Sequence, residues 1–206
     1  MFQPKKYQKK SPSYIFDFIQ AHPFATFVIN GKELLATHIP VLVKGTPEKF
    51  LLYGHIAKAN EQYDLIEDEL EALLIFQGPH SYISSSWYRE KDISTWDYSA
   101  VHVNVKLKIQ SPEELVDSLE KLVEHFEKEE ENPLLYRDIP KKMIEDHLPL
   151  IKGFWMEPFK VQGIAKLHQG FHSEDVEAIT KNLEKKENSL ASELSKHIKK
   201  EHDTRY

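Results

Sequence analysis

The sequence predicts a mainly β protein, a small antiparallel barrel with appended helices. Asn30-Gly31 separates two strand-like runs, and Asn-Gly is the strongest short signal for a hairpin. From Tyr98 to Gln110 apolar and polar residues alternate, which is the period of a strand with one buried and one wet face. Hairpin-linked strands of this kind close on themselves, and helical patterns dominate only in the C-terminal half, so the fold class is α+β.

The other elements follow from local signals in chain order. Ser11-Pro12 opens a short amphipathic helix that Pro23 closes, and Ser111-Pro112-Glu113-Glu114 is a capping box with proline at the first helical position. The six strand-like runs cover residues 24–29, 34–43, 50–56, 70–76, 98–110 and 151–168, the last interrupted near Pro158 and Gly163. We expect six or seven strands in one domain over residues 1–206, with residues 173–206 as a C-terminal extension of two helices.

Composition excludes several classes of function. The 206 residues contain 27 Lys and Arg against 33 Asp and Glu, a net charge of −6, which argues against a broad basic face for nucleic acid. Cysteine is absent, which removes thiolate catalysis, zinc ribbons and disulfides. No signal-peptide pattern and no apolar run of about 18 residues occurs, so we expect a cytoplasmic protein without a membrane span.

Common catalytic and metal motifs are also missing. The chain has 11 histidines but neither HExxH nor a histidine-carboxylate cluster at ligand spacing. It lacks the Gly-x-Ser-x-Gly elbow, the Walker loop and Gly-x-Gly-x-x-Gly. The sequence therefore indicates no catalytic residue and no metal site.

Residues 76–102 are the densest part of the chain in hydrogen-bonding aromatic side chains. They include His80, Tyr82, Trp87, Tyr88, Trp96, Tyr98 and His102, with three serines from Ser84. Such side chains join flat apolar faces to polar edges, which suits a planar ligand. Aromatic residues are also common in antiparallel strands for packing alone, so both interpretations stand at this point.

Residues 54–60 suggest an anion site. A strand is predicted to run through Gly54 into a helix that carries Lys58, with Asn60 close by. A helix N-terminus offers free N–H groups and a favourable dipole to a phosphate, and Lys58 adds charge. The alternative is an ordinary strand-to-helix turn with an exposed lysine.

Four motifs in the same order resemble those of the PaiB-type transcriptional regulators. They are ATHIP at 36–40, GHIAKAN at 54–60, IFQGPHSYISSSWY at 75–88 and TWDYSAVH at 95–102. The resemblance extends from Met1 to about Leu183, and it implies a split β-barrel of the FMN-binding kind, as a homodimer with flavin at the subunit interface. In related split barrels the flavin phosphate lies near the segment that corresponds here to residues 54–60.

The resemblance and the residue patterns together indicate a set of cofactor-binding residues. These are Thr37, His38, Gly54, His55, Lys58, Asn60, His80, Tyr82, Ser84, Trp87, Trp96, Tyr98, His102 and Lys166. The implied function is an FMN-binding negative transcriptional regulator or flavin-linked sensor, without catalysis. The alternatives are a flavin-dependent oxidoreductase and, since related split barrels include haem-degrading proteins, a haem-binding enzyme.

The sequence departs from the family pattern at Ser85, where proline is usual, at Val105, where glycine is common, at Gly170, where asparagine is usual, and at two further positions. Asp97 stands where the family has asparagine, and a carboxylate there would disfavour an adjacent anion. His168 stands where the family has serine. The sequence has neither a basic tail nor a helix-turn-helix pattern that could contact DNA, so direct DNA binding has little support in the residues.

Overall fold

The computed structural model describes residues 1–90 and 92–203. That part of the chain contains eight strands and five α-helices. The strands are β1 (Gln8–Lys9), β2 (Phe24–Asn30), β3 (Leu34–Pro40), β4 (Leu42–Thr46), β5 (Lys49–Ala57), β6 (Glu71–Ile83), β7 (Thr95–Ile109) and β8 (Ile151–Lys166). The helices are α1 (Pro12–Ala21), α2 (Pro112–Glu127), α3 (Lys141–His147), α4 (Ser173–Glu184) and α5 (Ser189–Asp203).

The strands form one sheet in the order β3-β2-β6-β7-β8-β5-β4, and β1 pairs with β8. The pairs of known register, β1 with β8, β2 with β3 and β6, and β5 with β4 and β8, are antiparallel. The predicted class, a mainly β antiparallel fold with appended helices, is therefore confirmed. The strand count exceeds the prediction because β1 and β4 are short pieces without a periodic signal of their own.

The Asn30-Gly31 hairpin forms as predicted. β2 and β3 pair from Phe24 with Pro40 to Asn30 with Leu34, so three residues make the turn. The predicted strand over 34–43, however, is two strands. The N–H of Val41, between β3 and β4, still donates to the carbonyl of Pro23 at 2.8 Å, and the chain then leaves this partner because β4 pairs with β5.

β8 is continuous, so the predicted interruption near Pro158 and Gly163 is wrong. Gly163 lets neighbouring residues approach the β8 backbone closely, and it does not interrupt the strand. A Cβ at Gly163 would lie 2.5 Å from Cδ1 of Ile15 and 2.8 Å from the carbonyl oxygen of Lys9. Gly163 pairs with Lys9, so the missing side chain makes room for β1 at this edge.

The chain divides into two compact units. The first comprises Met1–Phe18, Gln77–His102 and the chain from Gln162 onward; the second comprises Ile19–Phe76 and Val103–Val161. The predicted single domain with a helical extension stays a prediction. In the first unit α4 and α5 bury a cluster with the ends of β6 and β8, whose members are Ile83, Ala165, Leu167, Val176, Ile179, Leu183, Ala191, Leu194 and Ile198.

The start of α2 confirms the predicted capping box. The Ser111 hydroxyl accepts from the N–H of Glu114 at 3.2 Å, and the Glu114 carboxylate accepts from the N–H of Ser111 at 2.9 Å. Each side chain therefore satisfies an N–H that the helix itself leaves without a partner.

We expect Ser111→Ala to lower the free energy of unfolding by about 0.5–2 kcal/mol, because the N–H of Glu114 loses its acceptor. Urea denaturation measures the change. Ser13→Ala, at an exposed serine inside α1, is the matched control and should change stability by less than about 0.5 kcal/mol. Equal effects of the two substitutions would contradict a capping role for Ser111.

Within residues 1–90 and 92–203, no helix combines the length and the hydropathy that crossing a bilayer requires. The cytoplasmic location stays a prediction.

Candidate functional site

The segment predicted to start a helix at Lys58 is instead the end of a strand and a turn. β5 continues to Ala57, and residues 58–62 form turns before a short 3₁₀ segment at Tyr63–Leu65. The predicted helix N-terminus at Lys58 is therefore wrong. The N–H of Lys58 donates to the carbonyl of Leu150 at 2.7 Å. The turn is therefore bonded to the residue that precedes β8, and not to a preceding residue as in a helix.

We call Thr37, Lys58, Asn60 and Gln62 the turn group, since the last three belong to the turns after β5 and Thr37 bonds to Asn60. Asn60 organises it: its Nδ2 donates to Oγ1 of Thr37 at 3.2 Å, and its Oδ1 accepts from the N–H of Gln62 at 2.9 Å. This bond to the backbone two residues on is an Asx turn, which explains why asparagine suits the position. The structure thus joins two of the predicted residues, Thr37 and Asn60, and Lys58 lies in the same turn.

Gln62 belongs to the turn group but was missed in the sequence. Its side chain is buried, and its Nε2 donates to the carbonyl of Leu35 at 3.0 Å. Its Oε1 is also buried and accepts no hydrogen bond among the described residues, which makes it an acceptor without a donor. The Asx turn that begins at Asn60 is the only local signal that could have indicated Gln62.

The other predicted residues of the second unit lie beside this group with different roles. Gly54 is inside β5, where a Cβ would come 3.0 Å from the carbonyl oxygen of Pro40, so glycine permits close backbone approach. His55 is partly buried, and burial lowers its pKa, so the imidazole is neutral at neutral pH. His38 is exposed on β3 and stacks on Phe24, with 5.7 Å between ring centroids.

In the first unit, His80, Tyr82 and Trp96 form what we call the aromatic face. Trp96 stacks on His80 at 6.2 Å between centroids and lies 6.3 Å from Tyr82 at a tilted angle. Trp96 is 51% exposed and Tyr82 45%, so large ring surfaces remain accessible. Because strand residues two apart share a face, Tyr98 and His102 lie on the same side of β7 as Trp96.

Four predicted residues of the first unit have specific environments. Ser84 caps a 3₁₀ turn by accepting from the N–H of Ser86 at 3.2 Å. Trp87 packs against the helical cluster, with the Lys186 ammonium 5.0 Å from its ring centroid. The Lys166 ammonium donates to Oγ1 of Thr95 and, at 2.9 Å, to the carbonyl of Trp96.

The fourth is His102, which is half-buried on β7. Burial, and then the charge of the chain's N-terminal amine, lowers the pKa of His102. This histidine is therefore neutral at neutral pH and can accept a hydrogen bond at one ring nitrogen.

The Asp97 carboxylate has partners inside the protein, which the sequence did not indicate. Its side chain is 0% exposed, and its Oδ2 accepts from Nδ1 of His168. The Lys166 ammonium lies 3.8 Å from its Oδ1. Two of the departures from the family pattern, Asp97 and His168, are thus direct partners, and the carboxylate has compensating partners inside the protein.

A cavity of about 830 Å³ contains none of the predicted residues. It lies in the second unit, and Lys44, Lys106, Glu69 and Trp155 are among its lining residues. The Lys44 ammonium sits 5.0 Å from the Trp155 ring centroid, and Lys106 pairs with Glu69 at 3.0 Å. Lysines and glutamates both line it, and none of them was predicted as a site residue.

The antiparallel sheet with appended helices is the architecture of the split-barrel class. It is similar to the FAD and haem binding protein from Mycobacterium smegmatis, at TM-score 0.59 and 13% identity over 84% of this chain and 80% of that one. It is also similar to the flavocytochrome Anf3 from Azotobacter vinelandii, at TM-score 0.62 and 12% identity over 85% and 77%. Identities this low establish the fold alone.

Within this class the sequence defines the family. Residues 1–158 match the family described as "Putative FMN-binding domain". The chain is also 33% identical over 197 residues to the protease synthase and sporulation protein PAI 2 of Bacillus subtilis (strain 168), over 95% of each chain. The chain therefore belongs to this PaiB-type FMN-binding domain family.

The residues present fit an FMN phosphate at the turn group. The Lys58 ammonium is exposed and forms no ion pair within the described residues, and the N–H groups of Ala59 and Glu61 have no acceptor there. The Thr37 hydroxyl accepts from Asn60 and keeps its own proton to donate. One cation and several free donors are the chemistry that a phosphate needs.

Proposed function

We propose that this protein binds FMN and that the turn group holds the phosphate. The observation that carries the proposal is the exposed Lys58 ammonium beside a turn whose amides at Ala59 and Glu61 have, like that ammonium, no partner within residues 1–90 and 92–203. Membership of the FMN-binding domain family supports the choice of ligand. Because backbone donors form part of the proposed site, its shape depends on Asn60, which orders the turn through Thr37 and Gln62.

When bound, FMN would supply a redox-active isoalloxazine ring. The aromatic face offers exposed ring surfaces of the kind that stack on a flat ligand, and we keep the prediction that His80, Tyr82, Trp96, Tyr98 and His102 contact flavin. The roles predicted for Ser84, Trp87 and Lys166 also stay predictions. Their side chains already have partners inside the protein, so any contact with flavin would compete with those partners.

We expect Lys58→Met to weaken FMN binding by about 10- to 100-fold, because a charge-assisted hydrogen bond to the phosphate is lost. Quenching of flavin fluorescence during titration measures the affinity. Lys32→Met, at an exposed lysine in the β2–β3 turn, is the matched control and should bind FMN as the wild type does.

Riboflavin separates a phosphate contact from a general loss of the site. Since it lacks the phosphate, its affinity should be the same for the wild type and Lys58→Met. Equal FMN affinity of the two proteins would contradict the phosphate position at Lys58. Absence of any FMN binding by the wild type would contradict the proposed function itself.

We further propose that the flavin-bound protein acts as a sensor or negative regulator and not as an enzyme with turnover. We also propose that it forms a homodimer. The resemblance of the four motifs to the PaiB-type regulators is the basis of this proposal, and the relative from B. subtilis carries the name protease synthase and sporulation protein PAI 2. Gel shifts at two salt concentrations test DNA contact, and sedimentation tests the dimer. Oxidation of NAD(P)H with added FMN would favour the oxidoreductase alternative, and a Soret band would favour haem.

A further inference from the structure

Three polar side chains of the first unit form a hydrogen-bonded chain that the proposed function does not use. Nδ1 of His168 contacts Oδ2 of Asp97, and Nε2 of His168 lies 2.9 Å from the hydroxyl of Tyr88. The carboxylate can only accept, so it assigns the proton to Nδ1, and Nε2 then accepts from the Tyr88 hydroxyl. A hydroxyl, an imidazole and an orienting carboxylate in this order are the parts of an acid-base assembly.

The inner end of this chain is held away from water. Asp97 is 0% exposed and His168 3% exposed. Oδ1 of Asp97 accepts no hydrogen bond among the described residues, although the Lys166 ammonium lies 3.8 Å away. A buried carboxylate with an unused oxygen is costly for the fold, and it stabilises a positive charge that develops on the neighbouring imidazole.

The backbone at His168 is also unusual. Its φ of 56° places a side chain with a Cβ in the left-handed region, which costs free energy. Packing holds it there: the Phe171 ring lies 4.6 Å from the imidazole and 5.6 Å from the Tyr88 ring, centroid to centroid. Strain of this kind is more common where a side chain has a function than in ordinary loops.

The hydrogen-bonded side chains of Tyr88, His168 and Asp97 line a cavity of about 230 Å³. At about 30 Å³ per water molecule, this is roughly the space of eight waters, enough for a ligand with one ring. The lining combines aromatic walls, hydroxyl groups, two lysines and one further carboxylate: Lys6, Tyr7, Tyr88, Asp92, Ile93, Ser94, Thr95, Asp97, Lys166, His168 and Phe171.

Tyr88 is a hydrogen-bonding group here and not a nucleophile. Burial, and then the charges of Asp97, Asp92 and Asp175, raises the pKa of Tyr88 to about 12. The phenol is therefore protonated at neutral pH. The phenol can still relay a proton in a concerted step. Its oxygen accepts a proton from a ligand while the proton of the Tyr88 hydroxyl moves to Nε2 of His168.

We propose that this cavity is a second ligand site, which binds a single-ring phenol or enol as its anion. The ligand hydroxyl gives its proton to the oxygen of Tyr88, and the Tyr88 proton passes to Nε2 of His168. The resulting imidazolium is paired with Asp97, and the ligand anion accepts a hydrogen bond from Tyr88. No other bond forms or breaks, and no other reactant is needed.

The lining fits this class of ligand better than a permanent cation or a strong acid. Lys6 and Lys166 stabilise an anion after ionisation, whereas Asp92 opposes a ligand that arrives with full negative charge. Asp175, behind Tyr88, is paired with Arg89 at 3.7 Å and contributes less. Tyr7, Tyr88 and Phe171 provide the aromatic surface against which a planar ring packs.

Titration with 4-nitrophenol tests the proposal, because only its anion absorbs visible light. In a buffer where part of the free compound is ionised, we expect the full-length wild-type protein to increase the ionised fraction in a saturable way. Tyr88→Phe and His168→Gln should lower the ionisation of the bound compound by about tenfold or more. His147→Gln, at an exposed histidine of α3, is the matched control and should behave as the wild type does.

Asp97→Asn is a second variant, which keeps an acceptor for Nδ1 and removes only the charge that pairs with the imidazolium. It should bind nitrophenol with less ionisation than the wild type. Wild-type protein that leaves the absorbance unchanged would overturn the proposal, and so would Tyr88→Phe with unaltered ionisation. Displacement of nitrophenol by excess FMN would assign the cavity to flavin, which overturns this inference and leaves FMN binding intact.

Discussion

Asp97→Ala is expected to lower the free energy of unfolding by about 3–5 kcal/mol, the range measured when one partner of a buried ion pair is removed. The carboxylate is fully buried, and His168 and Lys166 both depend on it. Without it, Nδ1 of His168 keeps a proton with no acceptor, and the Lys166 ammonium loses the carboxylate that lies 3.8 Å away. Urea denaturation with an unchanged m-value measures the loss.

Asp97→Asn is the matched control for this prediction. The amide oxygen still accepts from Nδ1 of His168, so its cost should be well below that of alanine. A double-mutant cycle with His168→Ala separates the pair from the rest of the site, and we expect a coupling of about 0.5–3 kcal/mol. Asp97→Ala with the stability of the wild type would show that the carboxylate contributes nothing to folding.

Phe154→Ala should also cost about 3–5 kcal/mol, because it removes a large side chain from a packed interior and leaves a cavity. Phe154 is 0% exposed on β8 and stacks on the equally buried Phe27, with 5.4 Å between ring centroids. Since β8 pairs with β5 at this level, the lost contacts lie in the middle of the sheet. Thermal and urea unfolding should report the same loss if unfolding is two-state.

Phe159→Ala provides the control on the same strand. Phe159 is 51% exposed, so its removal should change stability by less than about 0.5 kcal/mol. A similar loss for both substitutions would mean that Phe159 is covered by something other than the residues of this chain. A small loss for Phe154→Ala alone would mean that the second unit closes around the vacated space.

Local signals in the sequence were enough to predict much of the fold. The alternation along β7, the capping box of α2 and the separation of α4 from α5 all depend on neighbours a few residues apart. The hairpin at Asn30-Gly31 was equally clear. The continuity of a long strand across a proline or glycine could not be predicted in this way. Pairing with the next strand decides whether such a residue interrupts the ladder.

The candidate site was predicted in its residues more than in its geometry. Thr37 and Asn60 are hydrogen-bonded, and Lys58 lies in the same turn and not at the helix N-terminus that the sequence suggested. The aromatic face joins Trp96 to His80 and Tyr82 across two neighbouring strands. Trp87, from the same aromatic stretch, packs on the helical cluster instead.

The sequence by itself determined the β-rich class, the caps and turns, and the membership of residues in motifs, because these depend on local periodicity and backbone preference. Only the tertiary structure paired Asp97 with His168, which are 71 residues apart. The same holds for Tyr88 and His168, which are 80 residues apart. Such contacts depend on strand register and on where a loop returns to the sheet, and no local pattern encodes either of these.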